Sequence, residues 1–275
     1  MASSLRPSGR VDLDVDLIRK QLSGRTVGRE LRLLDSVPST NAVLRGLAQE
    51  GAPEGTVVIA DEQTAGQGRL RKTWFSPPSV NIYASVLFRP AIAPREVPGY
   101  SFISSLALTD AIQAEGLRPA IKWPNDVLVD RRKVAGSLVE CVTSDRRVDW
   151  IILGVGVNLN VTRETLYEAL DEASHAAGSL AEVARREIDR NAFAAAFLNL
   201  LDEWAQIYAL QGPAPVLDAW RDRDILTGRR VEVRGEEDAS FEGRVLGVDR
   251  EGYLILRDAR GVRRRVLGGE IRLSD

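Results

Sequence analysis

Cysteine, histidine, methionine and lysine are all scarce in this 275-residue chain. The single cysteine, Cys141, and single histidine, His175, stand far apart in sequence. They exclude a disulfide framework and leave no Cys/His set from which to expect a metal site. No apolar run approaches the roughly 20 residues a membrane span needs. The N-terminus lacks a signal-peptide core, so a cytoplasmic protein with no membrane partner is expected. A formal net charge of −2 gives no reason to expect nucleic acid as the main partner. There are four lysines against 33 arginines. An apolar fraction of 44% with 28% charged residues is ordinary for a folded protein, long enough for one large domain and one small one.

Against that scarcity, the placement of lysine is informative. Lys122 lies in Ala120-Ile121-Lys122-Trp123-Pro124-Asn125-Asp126, followed by the apolar run Val127–Val129. Pro124 forces a turn after a short strand. A lysine held at a strand end in a partly dry site is a compact cation suited to anionic oxygens. Lys133 closes the same apolar strand, and Lys72 lies in a glycine-containing loop upstream.

Residues 1–10 are rich in Ser, Arg, Pro and Gly and are expected to fray. A short helix follows over Asp12–Leu22, and a strand over Leu31–Leu34. Ser39, Thr40 and Asn41 precede a helix over Ala42–Gln49, and each is a good helix cap. Val57–Ala60 is a buried strand leading into Gln63-Thr-Ala-Gly-Gln67-Gly68-Arg69-Leu-Arg71-Lys72-Thr-Trp74. Two glycines followed by three cations make a loop whose amides can approach an anion. It is neither a Walker A loop nor a dinucleotide fingerprint. Trp74 offers a flat face for the core or for stacking on a base.

Asn81–Phe88 reads as a strand and Pro98–Glu115 as a helix. Val127–Val129, a turn at 130–132 and Lys133–Cys141 form a β-hairpin, with Cys141 expected as a buried strand thiol. Gly136 signals close approach of a ligand or backbone. Trp150–Val161 reads as an apolar strand carrying Gly154, Gly156 and Asn158, whose side-chain amide can donate and accept. The aromatics of Asp189–Leu210 fall at helical spacing and read as core, and a short helix covers Val216–Arg221. From Ile225, short β runs (Arg230–Arg234, Phe241–Val248, Tyr253–Arg257, Arg263–Leu267, Glu270–Leu273) alternate with expected glycine turns at 235, 243, 252, 261 and 268–269, as in a small antiparallel barrel. Arg263-Arg264-Arg265 reads as a solvated edge.

Four motifs in this order resemble the biotin protein ligases, the biotin–[acetyl-CoA-carboxylase] ligases. They are Ser39-Thr40-Asn41, Gln63 to Trp74, Lys122 to Asp126 with Arg132 to Gly136, and Gly154-Val-Gly156-Val-Asn158. The resemblance runs from about Leu31 to the C-terminus. It implies an α+β fold, a central mixed β-sheet flanked by helices (class II synthetase-like), plus an SH3-like C-terminal β-barrel. The expected divisions are an N-terminal extension (1–30), a catalytic domain (31–223) and the barrel (224–275). Only 38 residues precede Ser39, too few for a further DNA-binding domain, so the monofunctional class is expected. The family loop commonly has Arg where Gln67 stands, Gly where Arg71 stands and Arg where Lys72 stands.

The resemblance implies ATP, Mg²⁺ and biotin as ligands, with a biotin carboxyl carrier domain of acetyl-CoA carboxylase or a related carboxylase as acceptor. The metal would arrive on ATP. Lys122 and Arg69 would be catalytic. Ser39, Thr40, Asn41, Gln63, Gln67, Gly68, Arg69, Lys122 and Gly136 would bind biotin, Gln63 through its side-chain oxygen. Arg69, Arg71, Lys72, Trp74, Asn125, Lys133 and Asn158 would bind ATP or the adenylate. A lipoate or octanoate ligase is the nearest alternative; a dithiolane would leave Ser39, Thr40 and Gln63 unpaired, which favours biotin. A non-enzymatic regulator is the other. Sequence leaves monomer or homodimer undetermined.

Overall fold

The computed structural model describes residues 12–234, 240–266 and 268–274. The expected frayed start, the turn at Gly235 and the strand end at Leu267 lie outside them. Seven strands form the central sheet: β1 (Leu31–Val37), β2 (Val57–Gln63), β3 (Ile82–Phe88), β4 (Pro119–Lys122), β5 (Asp126–Val129), β6 (Arg132–Ser144) and β7 (Arg147–Val157). Their order is β1-β2-β3-β7-β6-β5-β4. β1 and β2 run parallel and every other neighbouring pair antiparallel, so the sheet is mixed as expected.

The helices are α1 (Val15–Gln21), α2 (Thr40–Gln49), α3 (Gly99–Ala114), α4 (Arg163–Leu170), α5 (Leu180–Ala184), α6 (Arg190–Gln211) and α7 (Pro213–Arg221). α3 is buried along most of its length because it is apolar nearly all round. It lies between one face of the sheet and α6 and α7. Phe193, Phe197, Leu201 and Tyr208 of α6 join that core, as their helical spacing predicts. The chain ahead of β1 is fastened to α6: buried Asp202 accepts from the backbone N–H groups of Arg25, Thr26 and Val27. On the opposite face, α2 packs Leu44 and Ala48 against Val58, Leu87, Trp150 and Ile152. It covers only part of that face, and the uncovered part is the floor of the site.

The C-terminal sheet is antiparallel: β8 (Arg230–Arg234), β9 (Ser240–Val248), β10 (Leu254–Asp258), β11 (Arg263–Val266) and β12 (Glu270–Leu273), in the order β11-β10-β9-β8-β12. Arg263–Arg265 are exposed on its edge strand, as expected. The two sheets are joined through the Lys122 hairpin. Ile121 exchanges backbone hydrogen bonds with Arg223 and Ile225, and Trp123 Nε1 donates to Gly252 O at 2.9 Å.

Three local expectations need correction. Cys141 is exposed: β5 pairs with β6 only as far as Gly136, so beyond it β6 runs along an edge. Gly243 is no turn but lies within β9, where a Cβ would stand 3.0 Å from Arg257 O. The strand expected to reach Val161 ends at Val157, because Leu159 N and Asn160 N turn to Asn81 Oδ1 and Val80 O.

Candidate active site

Strand register builds the floor of the site. Lys122 on β4 is opposite Asp126 on β5, Asp126 is opposite Gly136 on β6, and Gly136 is opposite Gly156 on β7. Residues opposite one another share a face, so these four form a row across four strands, about 14 Å long. Two adjacent glycines leave the half of that row away from Lys122 without side chains of its own. A Cβ on Gly156 would stand 2.3 Å from Trp74 Nε1, so the indole lies directly on the backbone there. A Cβ on Gly136 would stand 3.3 Å from Lys133 Nζ.

Lys133 reaches this face through a bulge. Three positions separate it from Gly136, which in a regular strand would put the two on opposite faces. The register shift between Val127 and Leu128 opposes Leu128 to Lys133 instead, re-aiming the lysine. Its ammonium is 2.6 Å from Asp126 Oδ1 and 5.2 Å from the Trp74 ring centroid.

One row along, Gly154 makes room for Asn41, whose Oδ1 would be 2.2 Å from a Cβ there. Asn41 Nδ2 donates to Glu140 Oε1 at 2.9 Å, and Ser85 Oγ lies 2.6 Å from Asn41 Oδ1 and 2.7 Å from Thr40 Oγ1. The capping expected of the Ser39-Thr40-Asn41 triplet comes from elsewhere. Ser39 occupies the N-cap position of α2 but makes no side-chain cap bond. The Gln63 Oε1 atom accepts from Thr40 N at 2.9 Å and lies 3.1 Å from Thr40 Oγ1. Because Thr40 N can only donate, the amide orientation is fixed. Gln63 Oε1 is therefore engaged by the protein rather than open to a ligand N–H, and the Ser39 hydroxyl is the group left over.

The glycine loop folds back on itself. Gly68 N donates to Lys72 O at 2.7 Å and Trp74 N to Gly66 O at 2.9 Å, while Gln67 faces Thr73 across an isolated bridge. The Gln67 side chain is exposed. Leu70 and Arg71 have φ of 55° and 56°, the left-handed region that glycine enters without strain. Arg71 is exposed and does not line the cavity, so it does not join the other expected ligand-binding residues. Lys72 pairs with Glu270 of β12 at 2.9 Å. Arg69 is half-buried, with Nη1 donating to Asn125 Oδ1 at 3.3 Å. Asn125 in turn donates to Ser137 O. Asn158 Nδ2 donates to Gly178 O at 3.1 Å, so its amide oxygen is what remains for a ligand.

These parts enclose a cavity of about 450 Å³. It is lined by Ser39, Thr40, Asn41, Gln63, Gln67, Gly68, Arg69, Lys72, Trp74, Lys122, Asn125, Lys133, Gly136 and Asn158, every expected site residue except Arg71. Asp126, Ser137, Leu138, Leu166 and Glu270 line it as well. Sequence reasoning did not single these out: Asp126 was legible as the end of the lysine motif, whereas Glu270 arrives from a different sheet.

The Lys122 ammonium differs from its neighbours. Asp126 faces it but is held by Lys133, and among the described residues Lys122 makes no hydrogen bond or ion pair. Burial lowers its pKa from the ordinary 10.5, with Asp126 opposing the shift. An unpaired, partly desolvated cation in a cavity favours an anionic ligand.

The sequence matches the model of the biotin/lipoate A/B protein ligase family over residues 33–158 and that of the biotin protein ligase C-terminal domain over residues 226–274. It is 34% identical over 255 residues to a biotin–[acetyl-CoA-carboxylase] ligase of Mycobacterium tuberculosis, covering 90% of this chain and 91% of that one. It is 32% identical over 258 residues to the bifunctional ligase/repressor BirA of Bacillus subtilis, covering 94% of this chain and 78% of the relative. Its fold is similar to the biotin protein ligase of Aquifex aeolicus solved in complex with biotin and ATP, with a TM-score of 0.75 and 25% identity over 90% of this chain and all of that one.

Proposed function

This chain belongs to the biotin protein ligase family, and from that premise we propose which of its residues carry each part of the reaction. As a biotin protein ligase it activates biotin with ATP to biotinyl-5′-AMP and passes the biotinyl group to a lysine of a carrier protein. In the first step a biotin carboxylate oxygen attacks the α-phosphorus of ATP and pyrophosphate leaves. Two anions must meet, and Lys122 is the group that makes their approach tolerable. Its support is the observation that carries this reading: an ammonium with no hydrogen-bond or ion-pair partner among the described residues, at one end of a glycine-floored row whose other end is roofed by Trp74. Charge grows on the α-phosphate oxygens and the bridging oxygen in the transition state, where a preplaced cation is worth most.

Arg69 and the Gln67 amide hold carboxylate and phosphate oxygens. With its side chain exposed, position 67 serves through its backbone, so glutamine in place of the family arginine costs little. Trp74 stacks on adenine, Lys133 neutralises phosphate charge beside it, and the Asn158 oxygen accepts from the exocyclic amine. Ser39 donates to the ureido carbonyl, while Asn41 and Thr40 shape the ring pocket and Gln63 holds the helix end that presents them. Mg²⁺ would be carried by ATP. The cavity's two carboxylates, Asp126 and Glu270, are each paired with a lysine. The ion would supply further charge neutralisation to the phosphates.

In the second step the neutral amine of the acceptor lysine attacks the anhydride carbonyl and AMP leaves, with no enzyme nucleophile. Cys141, exposed and outside the cavity, takes no part. The acceptor we assign is the biotin carboxyl carrier domain of an acetyl-CoA carboxylase or related carboxylase, as the names of the Mycobacterium tuberculosis and Paracoccus denitrificans relatives suggest. Among the described residues no helix is long and apolar enough to cross a membrane, and we place the reaction in the cytoplasm.

Biotin-dependent exchange of labelled pyrophosphate into ATP tests this reading. Exchange with lipoate but not with biotin overturns it. Two finer results are expected. Ser39→Ala raises the KM for biotin about tenfold by removing one donor while leaving Tm unchanged, since Ser39 caps nothing. A Tm drop without a KM change contradicts that assignment. The alkaline limb of the exchange–pH profile reports Lys122. Its depressed pKa disfavours the charged form in the free protein, a penalty present below the folded pKa and relieved as pH rises through it. Activity needs the charged form, so exchange measured at biotin well below its KM, where the free protein titrates, falls as pH rises through a value below 10.5. Lys122→Arg, whatever its residual rate, moves that limb to higher pH. An alkaline limb unmoved in the variant contradicts the assignment.

A further inference from the structure

The outer face of the C-terminal sheet carries a second ordered set of charges. Arg230 on β8 is opposite Arg244 on β9, Arg244 is opposite Arg257 on β10, and Arg257 is opposite Arg263 on β11. Four guanidinium side chains therefore stand in one row across four adjacent strands, about 14 Å from end to end. All four are exposed. Like charges directly opposite one another destabilise a sheet, and here three such pairs are chained together.

Nearby acids do little to relieve them. Asp258 is paired with Arg264 and Glu232 with Arg234, which leaves Glu242 as the acid on this face without a partner among the described residues. Of the four arginines, Arg244 has one anchor, its Nε donating to Gly228 O at 2.9 Å. A shallow hollow of about 580 Å³ opens beside the row, lined by Arg229, Arg230, Arg244 and Arg257 together with the acids Glu242 and Asp258, so four cations face two carboxylates there. Position matters too. β8 lies between β9 and β12, and Glu270, Ile271 and Leu273 of β12 line the cavity that holds Lys122. The row thus begins one strand from the cavity wall and runs outward from it.

We propose that this arginine row docks an acidic surface of the biotin-accepting protein, holding it while its target lysine reaches into the cavity. The proposal rests on the ligase reading above. Charge complementarity identifies the chemistry of the partner, and the row's place beside the cavity identifies which macromolecule must come there. A net charge of −2 supplies no overall field to gather nucleic acid, so the basic row acts locally, on a partner brought by the reaction.

The test compares wild type with Arg244→Glu/Arg257→Glu and with the milder Arg257→Gln, using a purified biotin carboxyl carrier domain as acceptor. In the double variant the KM for the acceptor rises about tenfold or more, while kcat and biotin-dependent pyrophosphate exchange stay at wild-type values. Added salt raises the wild-type KM and leaves that of the double variant nearly flat. Arg257→Gln, which removes two of the three like-charge pairs, is at least as thermally stable as wild type. An unchanged acceptor KM and salt response overturn the proposal, and loss of duplex DNA binding without a KM change assigns the row to nucleic acid instead. Absence of exchange in the wild type itself brings down the ligase reading, and the docking role with it.

Discussion

Replacing Lys122 by alanine lowers biotin-dependent pyrophosphate exchange by roughly 100- to 1,000-fold. The size follows from what the ammonium faces. The neighbouring cations assigned to the same anions each share their charge with a protein partner: among the described residues Lys133 is paired with Asp126 and Lys72 with Glu270. Arg69 is directed at Asn125. Without Lys122, carboxylate and α-phosphate meet in a half-dry cavity beside Asp126, and the repulsion falls on the transition state. The loss appears mainly in kcat, with a smaller rise in the KM for biotin, because the cation also touches the ground-state carboxylate. Folding is little affected, since the side chain makes no hydrogen bond or ion pair among the described residues and truncation relieves a desolvated charge. A variant that is folded and retains full exchange contradicts the role given to this residue.

Gly156→Ala raises the KM for ATP and lowers exchange by about 10- to 100-fold, while biotin affinity changes little. The added Cβ would lie 2.3 Å from Trp74 Nε1 and 2.4 Å from Cε2, so the indole must move by more than an ångström; displacements of that order cost about 100-fold in rate. Gly156 is not among the positive-φ glycines, so alanine meets no backbone strain, and the effect is steric. Gly154→Ala gives the reciprocal outcome. Its Cβ meets Asn41 Oδ1 at 2.2 Å, disturbing the corner assigned to the ureido ring, so the KM for biotin rises more than that for ATP. Separate titrations of the two substrates distinguish these cases, and equal effects of both variants on both constants contradict the division of the floor.

Much of this was legible in the residue pattern, because apolar periodicity and turn residues are local signals. The strand–turn–strand around Lys122, the helical aromatics of α6 and the spacing of the C-terminal strands all came from such signals. What escaped depends on register. Nothing local says that Lys122, Asp126, Gly136 and Gly156 line up, or that a bulge turns Lys133 onto the face of Gly136. The same holds for the arginine row, whose members are scattered between positions 230 and 263. Gln63 looked like a ligand because its amide can accept, but a helix end 23 positions upstream engages it first. Cys141 looked buried because it follows an apolar run, but its strand outlasts its neighbour. Arg71 looked like a phosphate cation, but the loop conformation turns it to solvent.

The central claim, that the Lys122 ammonium receives biotin's carboxylate, is open to direct observation because the chain has only four lysines. Titration of ¹³C-labelled lysine side chains by NMR, free and with biotin, resolves each ammonium separately. Lys122 is expected to titrate below 10.5 in the free protein, with a pKa that climbs when biotin binds, as an anion replaces lost solvation. A Lys122 resonance that titrates identically with and without biotin contradicts it.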